Sequence, residues 1–292
     1  MSAVPEDYQN LVLDDIKTYI GLSEPVKASV LERLFVHNAL LKKLHPNPED
    51  EFSMIGIGPN YGIVGDYVSS FKRRMSLNQK PYMEEKLMVE RMSTGGYMLL
   101  NGHHRWMAAN RLGFKKAPVQ IVNVTPVKEI YENINKSDRL MCVSFDFDEV
   151  LLTDGIRCPK DKNIRFPLNR IYKTGLRKNA GVLVNELQKM GYDVWIYTGN
   201  YHSVEYINGL MKIHKAKADG IVNGLGGKKG NSHIKEAFVK KYKYSIHVDN
   251  DKVVCVNTVA KDYEVIDIDT NGADWSAEVI NIIRKLNLGI GK

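Results

Sequence analysis

The sequence predicts an α/β protein: a parallel sheet with helices on both faces, preceded by an α+β region and an N-terminal helical segment. Three observations predict it. Beyond residue 138, continuous apolar strands alternate with amphipathic helices, the pattern of a parallel sheet covered on both sides. Residues 46–136 mix short strands, turns and helices. Residues 8–45 carry apolar side chains at helical spacing. The domains expected are therefore 1–45, 46–136 and 137–292, the last boundary resting on the pattern change at Asn135–Ser137.

In the first segment Leu11, Ile16, Tyr19 and Ile20 share one helical face. After the Ser23–Pro25 break, Val30, Leu31, Leu34, Leu40, Leu41 and Leu44 recur at helical spacing as far as His45-Pro46-Asn47-Pro48, where proline ends the helix. Phe52–Ile57, Lys86–Glu90, Tyr97–Leu100 and Val119–Val124 read as strands. Tyr67–Met75 and Arg105–Leu112 read as helices, the latter closed by Gly113. In the last segment Met141–Phe145, Val194–Tyr197, Ser245–Val248 and Val265–Ile268 are the strands. Leu176–Met190, Val204–His214, Ser232–Lys241 and Ala277–Leu286 are the helices.

Composition narrows the class. With 43% hydrophobic and 26% charged residues over 292 positions, the chain has enough apolar side chains to fold and is neither fibrous nor disordered in the main. No apolar run reaches the ~20 residues of a membrane helix. The start MSAVPEDYQN lacks the basic and apolar regions of a signal peptide. Three scattered cysteines, Cys142, Cys158 and Cys255, make neither a disulfide framework nor a zinc cluster, so a cytoplasmic protein with reduced thiols is expected. The net charge of +7 favours anionic partners: a phosphorylated small molecule, a nucleotide or nucleic acid.

The strongest local signal is Phe145-Asp146-Phe147-Asp148-Glu149 at the end of an apolar strand. In an open parallel sheet, ligands bind beyond the carboxyl ends of the strands. Tyr197-Thr198-Gly199 and His247-Val248-Asp249 end two more strands, which would bring Asp146, Asp148, Thr198 and Asp249 to one rim. Lys228-Lys229 precedes the Asp249 strand by one helix. Clustered carboxylates call for a hard cation such as Mg²⁺. An aspartate beside it can serve as a nucleophile, a second as acid and base, and a hydroxyl and a lysine can hold phosphoryl oxygens. The bland alternative is a strand-end turn with solvated carboxylates, and for the lysines a solvated pair.

In order and spacing these residues resemble the haloacid-dehalogenase-like (HAD-like) phosphohydrolase family, over about 138–292. The resemblance implies a Rossmann-like parallel sheet and a Mg²⁺-dependent phosphatase acting through an aspartyl-phosphate. It implies Asp146 as nucleophile, Asp148 as acid and base, Thr198 as the second-motif hydroxyl, Lys228 or Lys229 as the third-motif lysine, and Asp146, Asp148 and Asp249 around the metal. Two departures stand out: Glu149 occupies a position where glycine is common, and Asp249-Asn250-Asp251 is an uncommon acidic spacing. The stretch between Thr198 and Lys228 is too short for a large cap. The stretch 153–174 is basic through Arg157, Lys160, Lys162, Arg165, Arg170 and Lys173, and reads either as an attractor of polyanions or as an ordinary solvated loop.

The second signal is Leu100-Asn101-Gly102-His103-His104-Arg105-Trp106: a strand, a glycine turn and a helix start, where free N–H groups and an arginine fork suit phosphate. This segment resembles the ParB/sulfiredoxin-like superfamily, its GHHR form being similar to the branch that contains free-serine kinases, over about 46–124. The resemblance implies nucleotide binding, with ATP or ADP as the nucleotide, by Gly102, His103, His104 and Arg105, and a carboxylate base upstream, Glu49 or Glu51. A capped helix end with a solvated arginine is the bland alternative. The absence of a helix-turn-helix, zinc finger or basic arm argues against a DNA clamp.

Three functions are thus expected to compete. One is a phosphatase fused to a nucleotide-binding domain that is itself a candidate small-molecule kinase. Another is a nucleic-acid end-processing phosphatase. The third is a nucleotide-sensing regulatory or DNA-binding protein with a degenerate phosphatase half.

Overall fold

The computed structural model describes residues 5–82, 85–156, 158–224, 228–269, 272 and 274–288, without the side chains of 228–231 and 287–288. The chain divides into two compact units, Met1–Val124 and Thr125–Lys292.

The first unit begins with α1 (Glu6–Tyr8), a π-helical turn at Gln9–Leu13, α2 (Asp14–Tyr19) and α3 (Val30–Phe35). Ser29 caps α3 by accepting the N–H of Glu32. The helix expected to run on to Leu44 stops at Phe35. Residues 38–45 instead supply β1 (Asn38–Leu40) and β2 (Leu44–His45), because β1 finds an antiparallel partner in β5 (Lys116–Ile121). Leu41 and Leu44 are buried either way, so apolar spacing alone could not separate the two outcomes. The strand expected at Phe52–Ile57 is a 3₁₀ turn, Glu51–Ser53, capped by Asp50.

Asn60 accepts the N–H groups of Gly62 and Ile63 and starts α4 (Tyr61–Ser76). Then come β3 (Leu87–Arg91), β4 (Tyr97–Asn101) and α5 (His103–Arg111). The strands form a five-stranded mixed sheet in the order β1-β5-β3-β4-β2. Val12, Leu41, Phe71, Val89, Trp106 and Val119 belong to its core.

The second unit opens with α6 (Val127–Lys136), which the sequence reading assigned to the preceding domain. Ile130 and Ile134 bury against Trp195, Phe238 and Tyr242, and this packing moves the boundary from 136/137 to 124/125. The remaining elements are β6 (Met141–Asp146), a π-helical turn at Phe147–Leu151, β7 (Leu152–Thr153), β8 (Gly175–Leu176), α7 (Ala180–Lys189), β9 (Asp193–Thr198), α8 (Val204–Ile213), β10 (Gly220–Asn223), α9 (Lys228–Lys241), β11 (Tyr244–Val248), β12 (Lys252–Asn257), β13 (Asp262–Asp267) and α10 (Trp275–Leu288).

The six-stranded sheet runs β10-β9-β6-β11-β12-β13. The first four strands are parallel; three of them, β6, β9 and β11, were expected and β10 was not, while the strand expected at Val265–Ile268 overlaps β13, which with β12 forms an antiparallel edge. One face packs α7, α8 and α10 onto Val143, Phe145, Val194 and Ile196, and the other packs α6 and α9 onto Cys142, Trp195 and Val222. The chain steps outward from β6 to β9 to β10, then returns through α9 to β11 on the opposite side of β6. The sheet order therefore reverses between β6 and β11, and at such a switch point the crevice beyond the carboxyl ends is where ligands bind.

Candidate active site

Asp146 is the last residue of β6, and Asp249 follows β11, so the two carboxylates flank the switch point. Thr198 ends β9 on the other side of β6. The Asp146 carboxylate caps the π-helical turn by accepting the N–H of Glu149 at 2.7 Å. Burial pushes its pKa up, helped by the charges of Asp148 and Asp249 and opposed by backbone N–H groups. The turn swings Asp148 towards β9. One of its oxygens accepts the Thr198 hydroxyl at 2.6 Å and the other meets His202 Nε2 at 2.8 Å. Burial would raise Asp148, but hydrogen bonds from His202, Asn200 and Thr198 outweigh it and hold the carboxyl at about 2.

His202 was absent from the sequence reading. Its ring stacks on Tyr206 (centroids 5.3 Å apart, planes at 14°) and meets Phe147 edge-on at 5.5 Å, and its carbonyl accepts the Asn223 amide at 2.6 Å. A histidine four residues past a strand-end threonine, just before the helix-starting Ser203, is the signal that could have marked it. Arg177, buried and donating to the carbonyls of Glu149 and Leu152, braces the π-helical turn from behind. A cleft of ≈ 690 Å³ opens here, lined among others by Asp148, Thr153, Cys158, Thr174, Arg177 and Asn200.

Among the described residues no three His, Cys, Asp or Glu side chains are grouped to hold a metal ion. Asp148, expected in the metal set, has both oxygens engaged by Thr198 and His202. Asp146 and Asp249 remain. Two carboxylates suffice for Mg²⁺, which usually takes one or two and fills its octahedron with water and substrate phosphate. The side chains of Lys228 and Lys229 lie outside the described residues, as does Arg157; the backbone puts both lysines in the first turn of α9.

The GHHR segment forms the expected turn. Gly102 has φ +96°, and a Cβ there would meet Leu87 Cδ2 at 2.5 Å, so both conformation and space require glycine. The Nε2 atoms of both histidines, however, are engaged within the chain. His103 Nε2 accepts the N–H of Asn47 at 3.3 Å, and His104 Nε2 accepts the N–H of Asn60 at 3.1 Å. Phe52 packs against both rings, centroids 5.2 and 5.0 Å away. The pair thus staples the 47–60 loop to the start of α5. Burial drives His103 down to about 4, against the pull of Asp50, so it is neutral at physiological pH. Arg105 is paired with the exposed Glu85 at 2.8 Å, and Glu49 and Glu51 lie on the surface.

His103→Ala is expected to loosen this loop. It leaves the half-buried Asn47 N–H without its acceptor, at a cost of up to about 2 kcal/mol. Hydrogen exchange of the 46–60 backbone should accelerate more than tenfold; unchanged protection would show the histidine to be idle.

No protein-family model matches the chain, and no curated protein does. Among solved structures, two of the C-terminally truncated chromosome-partitioning protein ParB from Caulobacter crescentus match in part. The complex with the centromeric parS site is 20% identical, over 35% of this chain and 49% of that one, with a TM-score of 0.23. The complex with CTP-γ-S is 23% identical, over 35% of this chain and 54% of that one, again with a TM-score of 0.23. The match spans about half the length of those ParB chains. An overlap that small transfers neither DNA nor nucleotide to this chain. No helix among the described residues is long and apolar enough to cross a membrane.

Proposed function

We propose that the second unit is a Mg²⁺-dependent phosphohydrolase. The observation that carries this reading is the meeting of Asp146, Asp148, Thr198 and Asp249 at the carboxyl ends of three adjacent parallel strands, astride the switch point of the sheet. Asp146 and Asp249 would hold the cation, whose chemistry is to neutralise the phosphoryl oxygens and hold Asp146 ionised.

An Asp146 oxygen attacks phosphorus, and the bond from phosphorus to the leaving oxygen breaks as the aspartyl-phosphate forms. Asp148, a carboxylate at neutral pH, then takes a proton from the water that attacks the phosphorus, and the Asp146 oxygen leaves. His202, hydrogen-bonded to Asp148, is placed to exchange a proton with it, so that the pair can protonate an alkoxide leaving group in the next turnover. Thr198 keeps Asp148 turned towards β9.

An aryl phosphate with a good leaving group needs no such proton, so its hydrolysis reports attack by Asp146 alone. Mg²⁺-dependent phosphate release from p-nitrophenyl phosphate is the direct test. Asp249→Ala should raise the Mg²⁺ concentration for half-activation by tenfold or more, while Asp251→Ala should move it much less. The opposite order would place the metal ligand two residues further on.

For the first unit the reading is narrower. The backbone at Gly102 and the Arg105 guanidinium are the groups left to meet a nucleotide phosphate, and Arg105 must first leave Glu85.

A further inference from the structure

We propose that the cleft of the second unit takes the phosphorylated end of a single-stranded nucleic acid, gripped by the flap of residues 158–174. The proposal rests on the phosphohydrolase reading for its chemistry, and on the flap for its substrate class.

The flap is built into the site rather than hung beside it. β7 and β8 pair at its root, with Leu152 opposite Leu176 and Thr153 opposite Gly175. Asp161 is tied to the buried His214 at 2.8 Å and accepts the N–H of Asn179. At the far end, Thr174 and Tyr206 share a hydroxyl hydrogen bond of 2.9 Å, and Tyr206 stacks on the histidine that holds Asp148. Thr153, Asp154, Cys158 and Thr174 form one wall of the cleft. The segment thus borders the same cleft as Asp148.

Its outer side has a distinct chemistry. Phe166 is 69% exposed, and the Arg170 guanidinium lies 5.0 Å from its ring centre. Lys162, Arg165 and Lys173 are exposed on the same segment. Among the described residues no carboxylate forms an ion pair with Arg165, Arg170 or Lys173. Of the nearby carboxylates, Asp161 faces the buried His214, while the exposed Asp154 accepts the N–H of Ile156 at 2.8 Å.

A solvated loop normally interleaves charges of both signs. This one leaves Arg165, Arg170 and Lys173 exposed and without a carboxylate partner among the described residues, around an aromatic face. That is the recognition chemistry of unpaired strands, in which bases stack on aromatic rings while cations track the phosphates. A small phosphorylated metabolite held in the cleft would need none of it. A duplex could offer its phosphates to the cations but no base to the ring.

The test uses the full chain with Mg²⁺ at low salt, and compares short 5′- and 3′-phosphorylated single-stranded oligonucleotides with p-nitrophenyl phosphate. Phe166→Ala with Arg170→Gln should raise KM for the oligonucleotide tenfold or more and leave turnover of the aryl phosphate unaltered, since neither residue lines the cleft. The slope of log KM against log salt should shrink by roughly 0.7 for each phosphate contact removed. Inorganic polyphosphate, which has the charge without the bases, should compete weakly.

The substrate assignment is overturned if the aryl phosphate is hydrolysed while both oligonucleotides are untouched. It is equally overturned if the flap variant leaves KM in place, or if polyphosphate competes as well as an unphosphorylated oligonucleotide. Absence of aryl phosphate turnover would instead strike the phosphohydrolase reading. Fluorescence anisotropy of a labelled oligonucleotide on the wild-type and flap-variant chains then decides the flap on binding alone, with equal affinity refuting it.

Discussion

Asp146→Asn protein is expected to fold normally and to hydrolyse p-nitrophenyl phosphate at least ~10³-fold more slowly than wild type, a loss of ~4 kcal/mol in transition-state stabilisation. The amide keeps an acceptor for the Glu149 N–H, so the π-helical turn stays closed. What disappears is the nucleophile and one of two negative charges flanking the switch point. The raised pKa of Asp146 means that its ionised form is the costly one in the folded chain. At neutral pH the neutral amide should therefore leave the melting temperature equal or slightly higher. The two readouts move in opposite senses, which separates a missing nucleophile from a damaged fold. Turnover within tenfold of wild type in a well-folded variant would remove Asp146 from the mechanism, and a larger loss in Asp148→Asn than in Asp146→Asn would exchange their roles.

Much of this site could be read from the sequence because strand ends obey a strong rule. Apolar runs ending in Asp146, Thr198 and Asp249 had to be neighbours once the sheet was parallel. The direction in which Asp148 points could not be read. It depends on the π-helical turn after β6, and that turn is held by Arg177, some 30 positions along the chain. His202 was missed for the same reason: a loop residue acquires a role only when a distant side chain turns towards it. In the first unit Gly102 and α5 were legible, since a left-handed turn before a helix demands glycine. The work of His103 and His104 was not, because their partners Asn47 and Asn60 lie 56 and 44 residues away. The apolar spacing of Val127, Ile130 and Ile134 was there to be read as α6, but the segment was assigned to the preceding domain.

The second large effect is expected in the pH dependence of the first unit. Glu90 sits in β3 with 8% of its surface exposed, and Val124 donates its N–H to the carboxyl at 3.2 Å. Burial pushes this carboxyl up from 4.5 to about 7, with the Val124 hydrogen bond opposing. The folded form is thus protonated where the unfolded chain is already ionised. The stability that depends on this proton is complete below pH ~4.5 and is lost as pH rises through ~7, by up to ~3 kcal/mol. His103 works the other way. Its ring falls from 6.5 to about 4 on burial, so its contribution is complete above pH ~6.5 and is lost as pH falls towards ~4. Between about pH 4.5 and 6.5 the two slopes oppose one another, with His104, also lowered by burial, adding to the histidine side. Wild-type stability of this unit should therefore change less over that range than the histidines alone would dictate. Glu90→Gln removes one slope and exposes the other: the variant should gain stability steadily from pH 4.5 to 6.5, and at pH 8 should exceed wild type by about 2 kcal/mol. Because the chain has two units, urea unfolding is best followed by hydrogen exchange in peptides from β3 and β5 at pH 5, 6.5 and 8. A constant difference between the two proteins at all three pH values would mean that Glu90 is charged in the folded state.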